Sequence, residues 1–515
     1  MSAAPSRNER PLRDLVLSGD FLRREADLAP ARLASFLTGG LSGLAGWFGL
    51  DQLSDGRIDA DRLRCLIDRD VVAIDRMIAD QLDAILHHPR LQRFEGSWRG
   101  LDWLVSGIEP PSRIHVRLLS AAWPELCRDL DRAPEFDQSI LFRRIYEDEF
   151  GRPGGEPFGL MVIDHELTHR RSRQTANAPR PTDDVAALAS LAAVAAAAFA
   201  PIVVAASPSL LDVDRFDELA LSLDPSAPLR DSDHARWRGL AAGSDLRFLC
   251  LTLPRVLARP VWTLDPARDG CSYAEYAPKP QDRVWSVSGY AFASTVIRAQ
   301  AQFGWPADIR GVDADRLGGG LVPDLVREAY TTDRNGSWCR PSLELTLTER
   351  QDRQLVDAGI IPINHLPHGN EAAFSAVRSM HGPASSETNA GDATPLTANA
   401  RLSAQINSVL CVSRFAHYLK VMGREMVGAF LTAEEIERRL QKWLSNYTNG
   451  NSRGDAESRA RHPLVSSKIR VVADPSKPGT FGCVMHLQPH YQLDDIDTTF
   501  QLATEFVVHS ARSLN

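Results

Sequence analysis

No two cysteines of this chain form a Cys-x-x-Cys pair. The seven, Cys65, Cys127, Cys250, Cys271, Cys339, Cys411 and Cys483, are scattered and odd in number. That excludes a disulfide framework and a zinc-finger spacing, and it points to a reducing compartment. Basic charge is lacking too. The formal net charge is −8 and no long Lys/Arg run occurs, which argues against binding nucleic acid or an anionic membrane. The first residues, Met1 to Arg10, contain no apolar segment of the secretory-signal kind. No nucleotide loop is present. The glycine-rich pieces Gly151…Gly154-Gly155…Gly159 and Gly318-Gly319-Gly320 neither end in Gly-Lys-Ser/Thr nor fit Gly-x-Gly-x-x-Gly. They read as turns. No internal repeat is visible.

Long apolar runs are scarce as well. One stretch, Val185 to Ala206, is nearly free of polar residues, but it is mostly alanine and Pro201 cuts it. A membrane span wants about 20 strongly apolar residues. The stretch therefore reads as a buried helix over Asp184–Phe199 followed by a strand, Ile202–Ala206.

What remains is ordinary soluble composition. Of 515 residues, 43% are hydrophobic and 24% charged, enough for several domains with real cores. Residues 1–60 read as an N-terminal arm. Leu12, Leu15, Val16, Phe21 and Leu22 suggest one short helix, and Pro30 opens a second over Ala31–Leu37. The glycine-rich segment Leu41–Leu50 reads as unstable alone. Next, Leu63, Ile67, Val71, Ile74, Ile78, Leu82 and Ile85 recur at steps of three and four. They lay one apolar stripe along a long helix. Such a stripe serves either the chain's own core or a partner helix, and core is the commoner use.

Residues 61–380 form an expected core domain in which helices alternate with the short strands Gly159–Ile163, Ile202–Ala206, Phe248–Leu253 and Leu343–Leu347. That alternation predicts α/β layering. Residues 381–398 read as a linker. Residues 399–515 read as two helices and then strands. The first helix runs over Asn399–Phe430, and the second starts at a capping box, Thr432 to Glu435. Three alternating strands follow: Ile469–Val472, Phe481–Leu487 and Ile496–Val508. Phe481, Cys483, Met485 and Leu487 share one face of the second, and Phe500, Leu502 and Phe506 share one face of the third. The expected class is mixed α/β, in several domains.

One string invites a catalytic reading. His165-Glu166-Leu167-Thr168-His169 matches His-Glu-x-x-His, which on a helix places two zinc ligands on one face and a general base between them. A metallopeptidase is thus the enzyme alternative. The context argues against it. A strand precedes the string, no third ligand stands at a familiar spacing, and the charged run from Arg170 lacks an apolar stripe. Gly450-Asn451-Ser452-Arg453-Gly454 formally matches Gly-x-Ser-x-Gly, but it sits in a polar loop without the strand and helix of a nucleophile elbow. Asp494-Asp495 reads as a solvated turn. We assign no catalytic residue, no cofactor and no metal ligand.

A series of phrases identifies a relationship. His87-His88-Pro89 with Trp98-Arg99-Gly100-Leu101 opens it. Phe150-Gly151 with Gly154 to Gly159 follows, then Ala200-Pro201 with Ala206-Ser207-Pro208. Leu253-Pro254-Arg255 comes next, then Gly289-Tyr290-Ala291-Phe292-Ala293, Thr348-Glu349-Arg350 with Gly359, Ser413 to Lys420, and Gln488 to Gln492. In this order, over residues 70–505, they resemble the TssC/VipB family of type VI secretion sheath proteins. The resemblance implies a structural subunit of a contractile sheath in the bacterial cytoplasm, not an enzyme. It implies a TssB/VipA-like small partner, neighbouring copies of the chain, an inner Hcp tube and a baseplate. A ClpV-type ATPase would grip the arm before residue 60. The sheath of a phage-derived contractile particle is a related alternative. The resemblance also makes the stripe and the C-terminal strands, with Phe481, Met485, Leu487, Phe500, Leu502 and Phe506, candidates for contacts between subunits. An ordinary sheet within the chain is the other reading of those strands.

Overall fold

The computed structural model describes residues 11–19, 29–48, 60–110, 112–152, 154–172, 181–265, 273–312, 317–328, 331–333, 336–338, 342–366, 371–382, 404–426, 432–451, 456–473, 480–490 and 500–507. Two compact units emerge. One comprises residues 1–92 with 261–282, the other residues 93–260 with 283–515.

The first unit is helical. Short helices α1 (Leu12–Leu17), α2 (Ala29–Thr38) and α3 (Leu41–Phe48) precede α4 (Ala60–Leu86). Leu41–Phe48 of the glycine-rich segment is helical, and it is packed against other helices and does not stand alone. Gly43 lets α3 close on the Phe36 carbonyl, and Trp47 and Phe48 are buried. Their cluster includes Leu12 and takes in Leu63, Leu66 and Ile74 of α4. A polar anchor sits inside it. Asp70 accepts from Arg13 Nε at 2.7 Å and from Trp47 Nε1 at 3.0 Å. Burial works against the Asp70 carboxylate, but those two donors hold its pKa below the ordinary value. At the far end of α4, Tyr273 donates to Asp83 at 2.8 Å, and His87 lies 3.2 Å from Glu275. Pro89 then opens α5 (Pro89–Ser106), where its missing N–H costs nothing.

The second unit is built on four parallel strands: β1 (Met161–Leu167), β2 (Ile202–Ala206), β3 (Leu249–Leu253) and β4 (Ile361–Pro362), in that spatial order. Helix α6 (Trp123–Arg132) precedes β1, and α7 (Asp184–Ala198) crosses over from β1 to β2. Every residue of β2 and β3 is buried, as expected of strands covered on both faces. The period of two sorts them. Ile202, Val204 and Ala206 join the cluster holding α7. Val203 and Cys250 join the cluster holding α8 (Ser288–Phe303). The polar-free stretch at 185–206 is thus a core helix and strand. Among the described residues no helix is long and apolar enough to cross a membrane.

Leu343–Leu347 is not a strand. Leu343 makes one isolated bridge to Val256, and the neighbouring backbone is engaged in loop hydrogen bonds from Leu257 to Ser342 and from Glu344 to Arg255. Helix α9 (Glu349–Asp357) starts at a capping box on Thr348. The helix expected over Asn399–Phe430 is α10 (Ile406–Met426), and the second is α11 (Ala433–Ser445), with the Thr432–Glu435 box in place. A short helix, Ala456–Arg461, follows. Three antiparallel strands end the fold: β5 (Leu464–Ala473), β6 (Thr480–Pro489) and β7 (Phe500–Val507).

Helix α10 pins this end to the parallel sheet. His417 shares its Nε2 proton with the Ala198 carbonyl at 2.9 Å. The Lys420 ammonium lies 4.8–4.9 Å from the ring centroids of Tyr146, Phe150 and Phe199, and burial pushes its pKa down to about 8. Arg424 donates to the carbonyls of Phe150 and Arg152.

Glycine governs one further contact. A Cβ on Gly96 of α5 would overlap the Trp285 carbonyl oxygen, and one on Gly100 would meet Ser286 and Tyr290. Alanine is the better helix former by about 1 kcal/mol, but here it must push backbone from backbone. Gly96→Ala is expected to lose about 1–3 kcal/mol. Gly239→Ala, in the helix Ala235–Ala241 with nothing within 4 Å, should be neutral or stabilising. Urea unfolding of the two variants checks this, and an unchanged midpoint for Gly96→Ala would show that the close approach is dispensable.

Candidate assembly surfaces

The His-Glu-x-x-His string has no helix beneath it. His165, Glu166 and Leu167 end strand β1. On an extended chain, residues four apart lie about 13 Å from each other, where a helix would bring them within one turn. The three side chains part company accordingly. His165 stacks on Trp123 with ring centroids 4.4 Å apart, and its Nδ1 lies 3.1 Å from Arg93 Nη2. Glu166 holds Arg255 through two bonds of 2.5 and 2.8 Å, and Arg255 also reaches Glu344 at 3.3 Å. His169 is buried against His234. The string therefore lacks the shared helical face and free carboxylate on which zinc hydrolysis depends.

The C-terminal sheet offers a different kind of site. Strand β5 is an edge, but α11 closes it. Gln441 accepts from the Ile469 N–H at 2.9 Å and donates to the Ser467 carbonyl at 3.2 Å, and Glu437 accepts from the Val471 N–H at 2.9 Å. Side chains here take the place of a neighbouring strand. Nothing in the apolar period marked Gln441 or Glu437; their even spacing along the polar face of α11 was the available clue. At the other edge lies β7, and no described strand pairs with its outer side.

The predicted contact residues of this sheet fall on one face. Phe481 pairs with Phe506, Met485 with Leu502, and Leu487 with Phe500. Met485 and Leu487 are fully buried and Phe481 partly so, in a cluster with Phe415, Ile436, Leu440 and Leu444. Those three side chains belong to the chain's own core. Within this chain that is the ordinary-sheet reading of Phe481, Met485 and Leu487, because paired strands with one apolar face bury it under α10 and α11 first. Ile496 and Val508 lie outside the described residues, as do the side chains of Phe500, Leu502 and Phe506.

Helix α4 is only half covered. Leu63 and Ile74 pack on the N-terminal helices, and Leu82 is half-buried. Ile67, Val71, Ile78 and Ile85 remain 38, 49, 40 and 49% exposed. Val71, Ile78 and Ile85 stand seven apart, which keeps them in one line along the helix as in a coiled-coil seam.

Two family models match the chain. Residues 68–381 match the VipB family model, described as the EvpB/VC_A0108 tail sheath N-terminal domain. Residues 396–506 match a second model, the EvpB/VC_A0108 tail sheath gpW/gp25-like domain. The chain is 32% identical over 448 residues to the type VI secretion system sheath protein TssC1 of Pseudomonas aeruginosa, covering 84% of each. The first match contains most of α4 and the whole parallel sheet, the second contains α10, α11, β5, β6 and all but the last residue of β7, and the chain therefore belongs to the VipB (TssC) family of type VI secretion sheath proteins.

Proposed function

We propose that this chain is the large subunit of a type VI contractile sheath in the bacterial cytoplasm, a mechanical component without catalytic residues. It pairs with a TssB-like small subunit. The pairs stack with neighbouring copies into a helical tubule around an Hcp tube, seated on a baseplate, and contraction expels the tube. The arm before residue 60 is where a ClpV-type ATPase would take hold.

The exposed seam of α4 carries this reading. Ile67, Val71, Ile78 and Ile85 form an apolar line on a helix whose other exposed positions, apart from Val72 and Met77, are mostly charged or polar. A line of this kind fits a partner helix, and the occupant we assign is the small sheath subunit. The C-terminal sheet supports a second contact. With β5 closed by Glu437 and Gln441, a strand from a neighbouring copy would add at β7, through backbone bonds that tolerate sequence change.

Co-expression with the adjacent small-subunit gene tests the assembly directly. Negative-stain microscopy is expected to show cogwheel-ended tubules, and a chain that stays monomeric and fails to bind the small subunit would refute the proposal. The seam is tested by Ile78→Asp. Full burial of an isoleucine contributes about 2 kcal/mol, and Ile78 is 40% exposed, so its loss alone should lower affinity for the small subunit roughly fourfold, and the added aspartate charge should lower it further. Because Ile78 is exposed in the free chain, its melting temperature should barely move. Unaltered pairing would exclude α4 as the docking helix.

A further inference from the structure

The second histidine of the rejected zinc string sits in a different cluster. His169 follows β1, Asp212 follows the turn Pro208–Leu211, and His234 precedes the helix Ala235–Ala241. One ring nitrogen of each histidine and a carboxylate oxygen of Asp212 all lie within 4.8 Å of one another. We propose that these three residues bind a divalent transition-metal ion of the zinc class.

The histidines are built for it. His234 is fully buried, and its Nε2 lies 2.9 Å from the Leu210 carbonyl. That oxygen can only accept, so Nε2 carries the proton and Nδ1 keeps a free lone pair. This Nδ1 makes no hydrogen bond, and neither does the buried Nδ1 of His169. The orphaned lone pair is the His234 Nδ1, which is costly in a protein interior; on His169 the lone pair is at Nε2, where Arg170 donates. A metal on His234 Nδ1, with the opposite nitrogen held by a carbonyl, is the usual support for a histidine ligand. Burial, then the neighbouring His234 and Arg170, lower the His169 pKa, which favours the neutral ring that coordinates.

A cation already occupies the position. Arg170 Nε lies 3.0 Å from His169 Nε2, and Arg170 Nη2 lies 3.3 Å from Asp212. Its side chain is 66% exposed, so it can leave without breaking the core. Metal and guanidinium thus compete for the same histidine and the same carboxylate. Two imidazoles and a carboxylate suit zinc, and also cobalt, nickel or iron. Ligand distances near 2.0–2.2 Å require the three donors to draw together by about an ångström, with solvent as the fourth ligand. His165 and Glu166 take no part, so the site ties the end of β1 to the segments that carry Asp212 and His234.

Cobalt titration of the full-length, chelator-treated protein tests the site. One equivalent should give a visible absorption band that zinc abolishes, and zinc should raise the melting temperature in line with its affinity. Asp212→Asn, at a surface position, should weaken binding at least about tenfold, as should His169→Gln. Arg170→Ala should strengthen it, because the competitor is gone. His234→Ala tests the buried ligand only if circular dichroism shows it folded; the other variants do not depend on it. No stoichiometric band, or a band that Asp212→Asn and His169→Gln leave unchanged, would overturn the assignment.

Discussion

Close approach of helices to buried strands is the constraint on which the α/β unit depends. Strands β2 and β3 are covered on both faces, so a helix must press on each side. On one side α7 does so with alanine at most of its positions. On the other, a Cβ on Gly289 at the start of α8 would crowd Val162 and Val203. The same holds for Gly96 and Gly100 of α5. Side chains any larger would lift these helices off and open cavities beneath them. Several phrases that carried the family resemblance, Trp98–Leu101, Ala200–Ser207 and Gly289–Ala293, are the sites of these contacts or flank them.

Polar groups inside this unit are spent on anchoring. Arg255 is shared between Glu166 and Glu344. Burial drives the Glu344 pKa up to about 7 even though Arg255 pulls it down, because one guanidinium cannot fully offset two carboxylates and the loss of water. Glu166 is therefore a structural ion-pair partner, held at the end of a strand. The resemblance of its surroundings to a zinc peptidase motif follows from one-dimensional spacing alone. The motif's chemistry lives in the helical turn, and β1 has none.

The periodic elements were legible in the sequence. The stripe from Leu63 to Ile85 predicted α4 within a few residues at each end, Val185–Ala206 predicted a helix and a strand, and the Thr432–Glu435 box marked the start of α11. Less legible was which face of a periodic element would be covered. On α4, Asp70 reads as a solvent-facing residue, yet it is buried, because Arg13 and Trp47, more than twenty residues upstream, supply its donors. On the C-terminal sheet, alternation correctly placed Phe481, Met485 and Leu487 on one face, but alternation alone does not distinguish a core of the chain's own from a partner. The failure at Leu343–Leu347 has another origin. This segment pairs with residues 255–257 only around Leu343, through Ser342 and Glu344, and no local pattern records that the pairing stops there. The cluster of His169, Asp212 and His234 was hidden for the same reason, since its members come from three separate segments.

The spacing of the α4 seam also limits what can dock there. Ile67 and Val71, then Ile78 and Ile85, leave one side of the helix apolar, while Leu63, Leu66 and Ile74 are already used by α1 to α3. Val71, Ile78 and Ile85 stand seven apart and so keep to one line along the helix. A second partner helix would need a second apolar line, and the N-terminal helices occupy that face. The exposed line is therefore matched to one helix and not to a bundle. An uncovered apolar strip on a soluble chain also promotes self-association, so the large subunit of the proposed pair is expected to depend on its small partner for more than position in the tubule: covering the strip is part of keeping the chain in solution.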